Sequence, residues 1–140
     1  MGQPLKRHTK SIYRVTFSPD GTLLASAGQD RIIVLWDIRK HQQSGSEMLA
    51  HENNVWSIVF SPDGRMIASG GDDGNINLWD VKTHDRIGLS FTAPGQVWSL
   101  AFSDDGKKLL SGGDDKGVTS WNLDPESWLS LAQRISGGSP

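Results

Sequence analysis

The chain has no cysteine, so a disulfide framework and thiolate chemistry are both closed to it. It has no excess of basic residues: 14 Lys and Arg stand against 16 Asp and Glu, for a net charge of −2. A nucleic-acid surface normally leaves a basic footprint, so that class of partner is not expected. No run approaches the roughly 18 consecutive apolar residues of a membrane helix. The opening M-G-Q-P-L-K-R-H lacks the apolar centre of a secretory signal. Gly2 follows Met1, but Lys6 stands where N-myristoylation wants Ser or Thr. These absences lead to the expectation of a soluble, cytoplasmic protein without a membrane partner. The length of 140 residues suits one ordinary domain.

What is present is repetition. Residues 55–81 read V-W-S-I-V-F-S-P-D-G-R-M-I-A-S-G-G-D-D-G-N-I-N-L-W-D-V. A shift back by 43 positions lands on 12–38, I-Y-R-V-T-F-S-P-D-G-T-L-L-A-S-A-G-Q-D-R-I-I-V-L-W-D-I. A shift forward by 42 lands on 97–123, V-W-S-L-A-F-S-D-D-G-K-K-L-L-S-G-G-D-D-K-G-V-T-S-W-N-L. A fixed period of this size marks a repeat architecture and outranks local readings. Within each copy, short runs of Val, Ile, Leu and Trp alternate with Gly-rich turns, the pattern of an all-β chain.

Taken in order, residues 1–7 are a lead, and the stretch 3–6 aligns with 46–50 as a strand able to belong to a preceding unit. Repeat one, 8–50, predicts strands at 12–18, 23–28 and 32–38, a polar loop at 39–46 and an outer strand at 47–50. Repeat two, 51–92, has the same parts, with its outer strand near 86–90. Repeat three, 93–123, keeps only three strands, at 97–103, 108–112 and 118–123. The segment 124–140 then predicts a short C-terminal helix over 125–135 and a frayed tail. Asp124 is a good N-cap and Pro125 a good first residue, and Trp128, Leu131, Ala132 and Ile135 make one apolar stripe.

The W-D-I, W-D-V and S-P-D-G motifs, three times at fixed offsets across about 8–123, make the chain resemble the WD-repeat family of β-propellers. The resemblance implies three four-stranded blades around a channel. It also implies a structural hydrogen-bond network in each repeat. That network falls on His8, Ser26, Asp30 and Trp36, and on His51, Ser69, Asp73 and Trp79. In repeat three it falls on Ser111, Asp115 and Trp121 only. Ala93 replaces the His there, Asn122 replaces the Asp of W-D, and Ser120 sits where Leu35 and Leu78 sit, so blade three is expected to be the weakest. The tail D-P-E-S-W resembles the closing segment of some bacterial WD-repeat proteins.

Closed propellers have 4–8 blades, so three leave the ring incomplete unless the chain associates. Head-to-tail self-association, as a dimer or trimer, is one expectation. The others are a fragment whose remaining blades lie on a separate chain or were lost, and a marginally soluble relic.

No chemistry needs a cofactor, a metal or a catalytic residue. The acidic turns around Asp72 and Asp114 lack the spaced ladder and closing Glu of a calcium loop. His41 and His84 read as solvated loop residues. The Ser–His–Asp sets have a structural explanation and no G-x-S-x-G accompanies them. One constellation points to binding. Tyr13, Trp56 and Trp98 share one offset at the start of each first strand, which the resemblance places at the channel mouth. Arg14, Gln29, Arg31, Asp72, Asp114 and Lys116 lie near the same edge by repeat position. The expected function is a non-catalytic scaffold that binds a protein or peptide there. The alternative is a sensor or regulatory fragment of a larger multidomain bacterial protein.

Overall fold

The computed structural model describes residues 3–123, so the helix and tail expected over 124–140 lie outside the described residues. Every described element is a strand, and every pairing is antiparallel. Sheet one holds β1 (Ile12–Phe17), β2 (Leu23–Gly28) and β3 (Ile32–Asp37). Its outer edge is split into β4 (Gln42–Gln43) and β5 (Met48–Leu49), which both pair with β3. The expected loop at 39–46 is therefore corrected. Ser44 N–H bonds the Leu35 carbonyl at 2.8 Å, so the chain follows β3, swings out around Gly45, and returns. Sheet two is β6 (Val55–Phe60), β7 (Met66–Gly71), β8 (Asn75–Asp80) and β9 (Arg86–Thr92). Among the described residues sheet three has three strands, β10 (Val97–Phe102), β11 (Lys108–Gly113) and β12 (Val118–Asn122).

The hairpin between the first two strands of each sheet is set by Ser-x-Asp-Gly. Gly21, Gly64 and Gly106 take φ of +76, +74 and +72, a region that side chains resist. The Asp just before each glycine ties the turn. Asp63 accepts the Ser61 hydroxyl at 2.6 Å and the Arg65 N–H at 3.0 Å, while Ser61 Oγ accepts the Met66 N–H at 3.0 Å. Bonds to the ionised form hold these carboxyls below their usual range. For Asp20 the Thr22 N–H is the largest cause, followed by the Ser18 hydroxyl, and the value falls to about 2.

Packing joins the sheets in series. Ala25, Ala27, Ile33, Leu35, Met48 and Ala50 of sheet one form one buried cluster with Val55, Ile58, Ile67 and Trp79 of sheet two. Ala68, Ile76 and Leu78 of sheet two form the next with Val97, Leu100, Leu109 and Leu123 of sheet three. Small residues make the seats. A Cβ on Gly70 would stand 2.4 Å from Val97 Cγ1, so that glycine is where Val97 enters. The first strands β1, β6 and β10 lie side by side, and Ser57 Oγ accepts the Leu100 N–H at 3.1 Å across the second junction. The three sheets form an arc, and no sheet closes it among the described residues.

Candidate interaction rim

Each first strand carries a register break at its start, between Ile12 and Arg14, Val55 and Ser57, and Val97 and Ser99. The skipped residues are Tyr13, Trp56 and Trp98. These aromatics sit on bulges, which re-aim a side chain away from the ordinary alternation. The facing glycines show the cost in space. A Cβ on Gly28, Gly71 or Gly113 would fall 2.1, 2.1 or 1.7 Å from the carbonyl oxygen of Ser11, Asn54 or Gln96. Only glycine lets the two backbones come this close.

Two groups assemble from the expected residues. Tyr13 stacks on Trp56 with ring centroids 4.4 Å apart and planes 12° from parallel. The Trp56 indole N–H donates to Asp72 Oδ1 at 2.5 Å, and Asn54 Nδ2 donates to Asp72 Oδ2 at 2.9 Å. The second group is Trp98, Gln96 and Asp114. The Trp98 N–H donates to Gln96 Oε1 at 3.0 Å, and the Gln96 N–H donates to Asp114 Oδ1 at 2.7 Å. Trp98 has no stacking partner among the described residues and remains 49% exposed. The side chains of Arg14, Gln29, Arg31 and Lys116 are exposed and joined to neither group. Arg31 and Lys116 take φ of 71 and 68, where repeat two has Gly74 at +77. Their turns thus carry a cation at some conformational cost.

Beneath the rim lies the hydrogen-bond network. In repeat two, Trp79 Nε1 is 2.9 Å from Ser69 Oγ, which is 2.8 Å from His51 Nε2, and His51 Nδ1 is 3.0 Å from Asp73. Asp73 also accepts the N–H of Asn75 at 3.0 Å and of Glu52 at 3.2 Å. An indole only donates and a carboxylate only accepts. The run that satisfies every member is Trp79 N–H to Ser69, Ser69 O–H to His51 Nε2, and His51 Nδ1–H to Asp73. This assigns the tautomer from the network. Burial works against the Asp73 charge, but the bond from His51 and those from Asn75 and Glu52 outweigh it, and its carboxyl is held below the ordinary range. Repeat one repeats the set: Trp36 to Ser26 at 2.8 Å, Ser26 to His8 at 2.7 Å, His8 to Asp30 at 2.9 Å. Repeat three keeps Trp121 to Ser111 at 2.9 Å, while among the described residues Asp115 accepts only the Gly117 N–H, at 3.3 Å. The serines of the complete sets are buried beneath an indole and give a substrate no approach.

His41 is exposed and His84 half-buried, and each in addition ties its sheet to the segment before it. His84 Nδ1 lies 2.7 Å from the Ser46 carbonyl, and His41 Nε2 lies 2.6 Å from the Gln3 carbonyl. Both sit at positive φ, 67 and 53. Their partners lie 38 residues back in each case. The only hint in the sequence is that the two histidines share a repeat offset. Among the described residues no group of three or more His, Cys, Asp or Glu is placed to hold a metal ion. No helix among them is long and apolar enough to cross a membrane.

Antiparallel sheets packed face to face in sequence order, with their first strands side by side, are the blades of a β-propeller. The family model described as WD domain, G-beta repeat matches residues 2–37, 42–80 and 87–122, and the chain belongs to this WD-repeat family. It is similar to small ribosomal subunit protein RACK1 of Candida albicans, 54% identical over 35 residues that make up 25% of this chain and 11% of the relative. It is also similar to Protein Mut11 of Chlamydomonas reinhardtii, 58% identical over 33 residues, 24% of this chain and 9% of the relative. A third relative, from Gallus gallus, is a component of chromatin assembly factor 1, 46% identical over 39 residues, 28% of this chain and 7% of the relative. The chain thus spans about a tenth of the length of the relatives it matches.

Proposed function

We propose that the chain is a non-catalytic interaction scaffold that takes a peptide or protein segment on the rim of Tyr13, Trp56 and Trp98. One observation carries this reading. A tryptophan held on a strand bulge stays 49% exposed beside a stacked Tyr–Trp pair. Exposed aromatics with few side-chain torsions make strong anchors, because little entropy is lost when they are covered. Asp72 and Asp114 orient the rim from below, and Arg14, Gln29, Arg31 and Lys116 supply adaptable polar contacts around it. Two relatives carry names that place them in assemblies, a ribosomal subunit and a chromatin assembly factor, which favours a binding role over catalysis. A second reading, a regulatory segment that acts only inside a larger protein, is favoured by the exposure of Ile12, Val15 and Val118 on the end faces of sheets one and three.

The test is a peptide selected against the wild-type protein from a random displayed library. Trp98→Ala removes an exposed side chain and leaves the fold intact. Loss of an anchor of this kind costs about 2 kcal/mol or more, roughly 30-fold in affinity. Unchanged affinity for the folded Trp98→Ala protein rules the rim out.

A further inference from the structure

Sheets one and three end the arc with faces that repeat, position by position, the faces buried inside it. The leading face of sheet two presents Val55, Ile58 and Ile67 to sheet one, and that of sheet three presents Val97, Leu100 and Leu109 to sheet two. The same positions in sheet one are Ile12, Val15 and Leu24. Ile12 and Val15 are exposed, together with Phe17, which is 60% exposed. The trailing face shows the converse. Ala27 and Ile33 of sheet one, and Gly70 and Ile76 of sheet two, are covered by the next sheet. Their counterparts in sheet three are Gly112 and Val118. Val118 is 77% exposed, and among the described residues a Cβ on Gly112 would meet nothing nearer than the Gly117 carbonyl at 4.0 Å. Among the described residues, nothing fills at Gly112 the seat that Val97 fills at Gly70.

The polar contacts match as well. Ser57 Oγ takes the Leu100 N–H of the following sheet. Its counterpart is Ser99, which is exposed, and the N–H that corresponds to Leu100 belongs to Val15. The lead segment fits the same scheme. His84 holds the Ser46 carbonyl at the outer edge of the sheet before it, and His41 holds the Gln3 carbonyl in the same manner. A shift of 43 positions relates Gln3 to Ser46, so the lead lies where the outer edge of a preceding sheet belongs. Among the described residues sheet three has no outer strand, and β12 is its edge.

We infer that the leading face of sheet one docks on the trailing face of sheet three of a second copy of this chain. Ile12 enters the seat at Gly112, Val15 covers Val118, Ser99 Oγ accepts the Val15 N–H, and the lead runs beside β12. Two such junctions close a ring of two copies with six sheets, inside the range in which propellers close; three copies give nine and fall outside it. The occupant is a second copy because the two internal junctions show what each face is shaped to receive. The inference stands apart from the rim reading, since neither face includes Trp98.

The test is light scattering on the full chain at micromolar concentrations. The expected species has twice the 15.3 kDa of one chain. Val15→Asp and Val118→Asp alter side chains already exposed in one copy, so both variants keep the wild-type circular dichroism and run as monomers. Mixed one to one, they recover a dimer, because one junction in each pair is then wild type on both sides. Leu49→Asp alters a residue 74% exposed on the outer strand, away from both faces, and stays dimeric. A monomeric or polydisperse wild-type chain overturns the inference and points to other polypeptide covering the faces. Dimers that survive both substitutions, or a mixture that stays monomeric, overturn it equally.

Discussion

Ser69→Ala is a small deletion with a large expected effect. Ser69 is fully buried, and its hydroxyl serves two neighbours, the Trp79 N–H at 2.9 Å and His51 Nε2 at 2.8 Å. Trp79 and His51 are themselves buried. Alanine leaves a donor and an acceptor without partners in a space that water does not reach. Each orphaned buried group costs about 1–3 kcal/mol, so the substitution is expected to cost about 2–6 kcal/mol. Small domains are stable by only about 5–15 kcal/mol, so the upper end removes much of the fold. Ser111→Ala is the internal comparison. Among the described residues Ser111 serves only the Trp121 N–H, Trp121 is half-buried, and Ala93 offers no ring. One orphaned donor that water can approach is expected to cost about 1 kcal/mol or less. Urea denaturation of both variants followed by far-ultraviolet circular dichroism gives the difference directly. Equal shifts in the two midpoints would refute the claim that the histidine-bearing network makes the second sheet stronger than the third.

The remaining predictions test other parts of the same structure. Native-state hydrogen exchange should show residues 76–81 better protected than 118–123, since among the described residues β8 is flanked on both sides and β12 on one; the reverse order contradicts the expected weakness of blade three. Asp73 has a folded-state value held below the ordinary 3.8. Its contribution is therefore full above the unfolded value and is lost as pH falls below 3.8 through the folded value. The urea midpoint should drop over that window and drop less in Asp73→Asn; parallel curves for the two proteins contradict this. Gly71→Ala drives a Cβ to within 2.1 Å of the Asn54 carbonyl and should cost about 2–3 kcal/mol in thermal denaturation. Gly117→Ala, whose Cβ meets nothing within 4 Å, should instead be neutral or gain up to about 1 kcal/mol.

The repeat period and the Ser-x-Asp-Gly hairpins were legible because each is local and recurs at one offset. The position of Tyr13, Trp56 and Trp98 was legible for the same reason, but the bulges that aim them were not. Their trace in the sequence is the glycine at 28, 71 and 113, and a strand-terminal glycine looks the same whether it ends a strand or admits a carbonyl. The divided outer edge of sheet one was not legible because Gln42 and Gln43 are polar, and an edge strand facing solvent has no apolar pattern to betray it. The ties made by His41 and His84 were hidden because their partners are backbone carbonyls. A carbonyl is present at every residue, so no sequence feature marks the one that is used.

The rim is tested most directly by a deuterium-exchange footprint of a library-selected peptide bound to the wild-type chain. Protection confined to 12–14, 55–57 and 97–99 is the result predicted for binding across the three bulges. Protection on the outer strands β5 and β9, with the bulges unchanged, would contradict the account and move the binding surface to the opposite edge of the sheets.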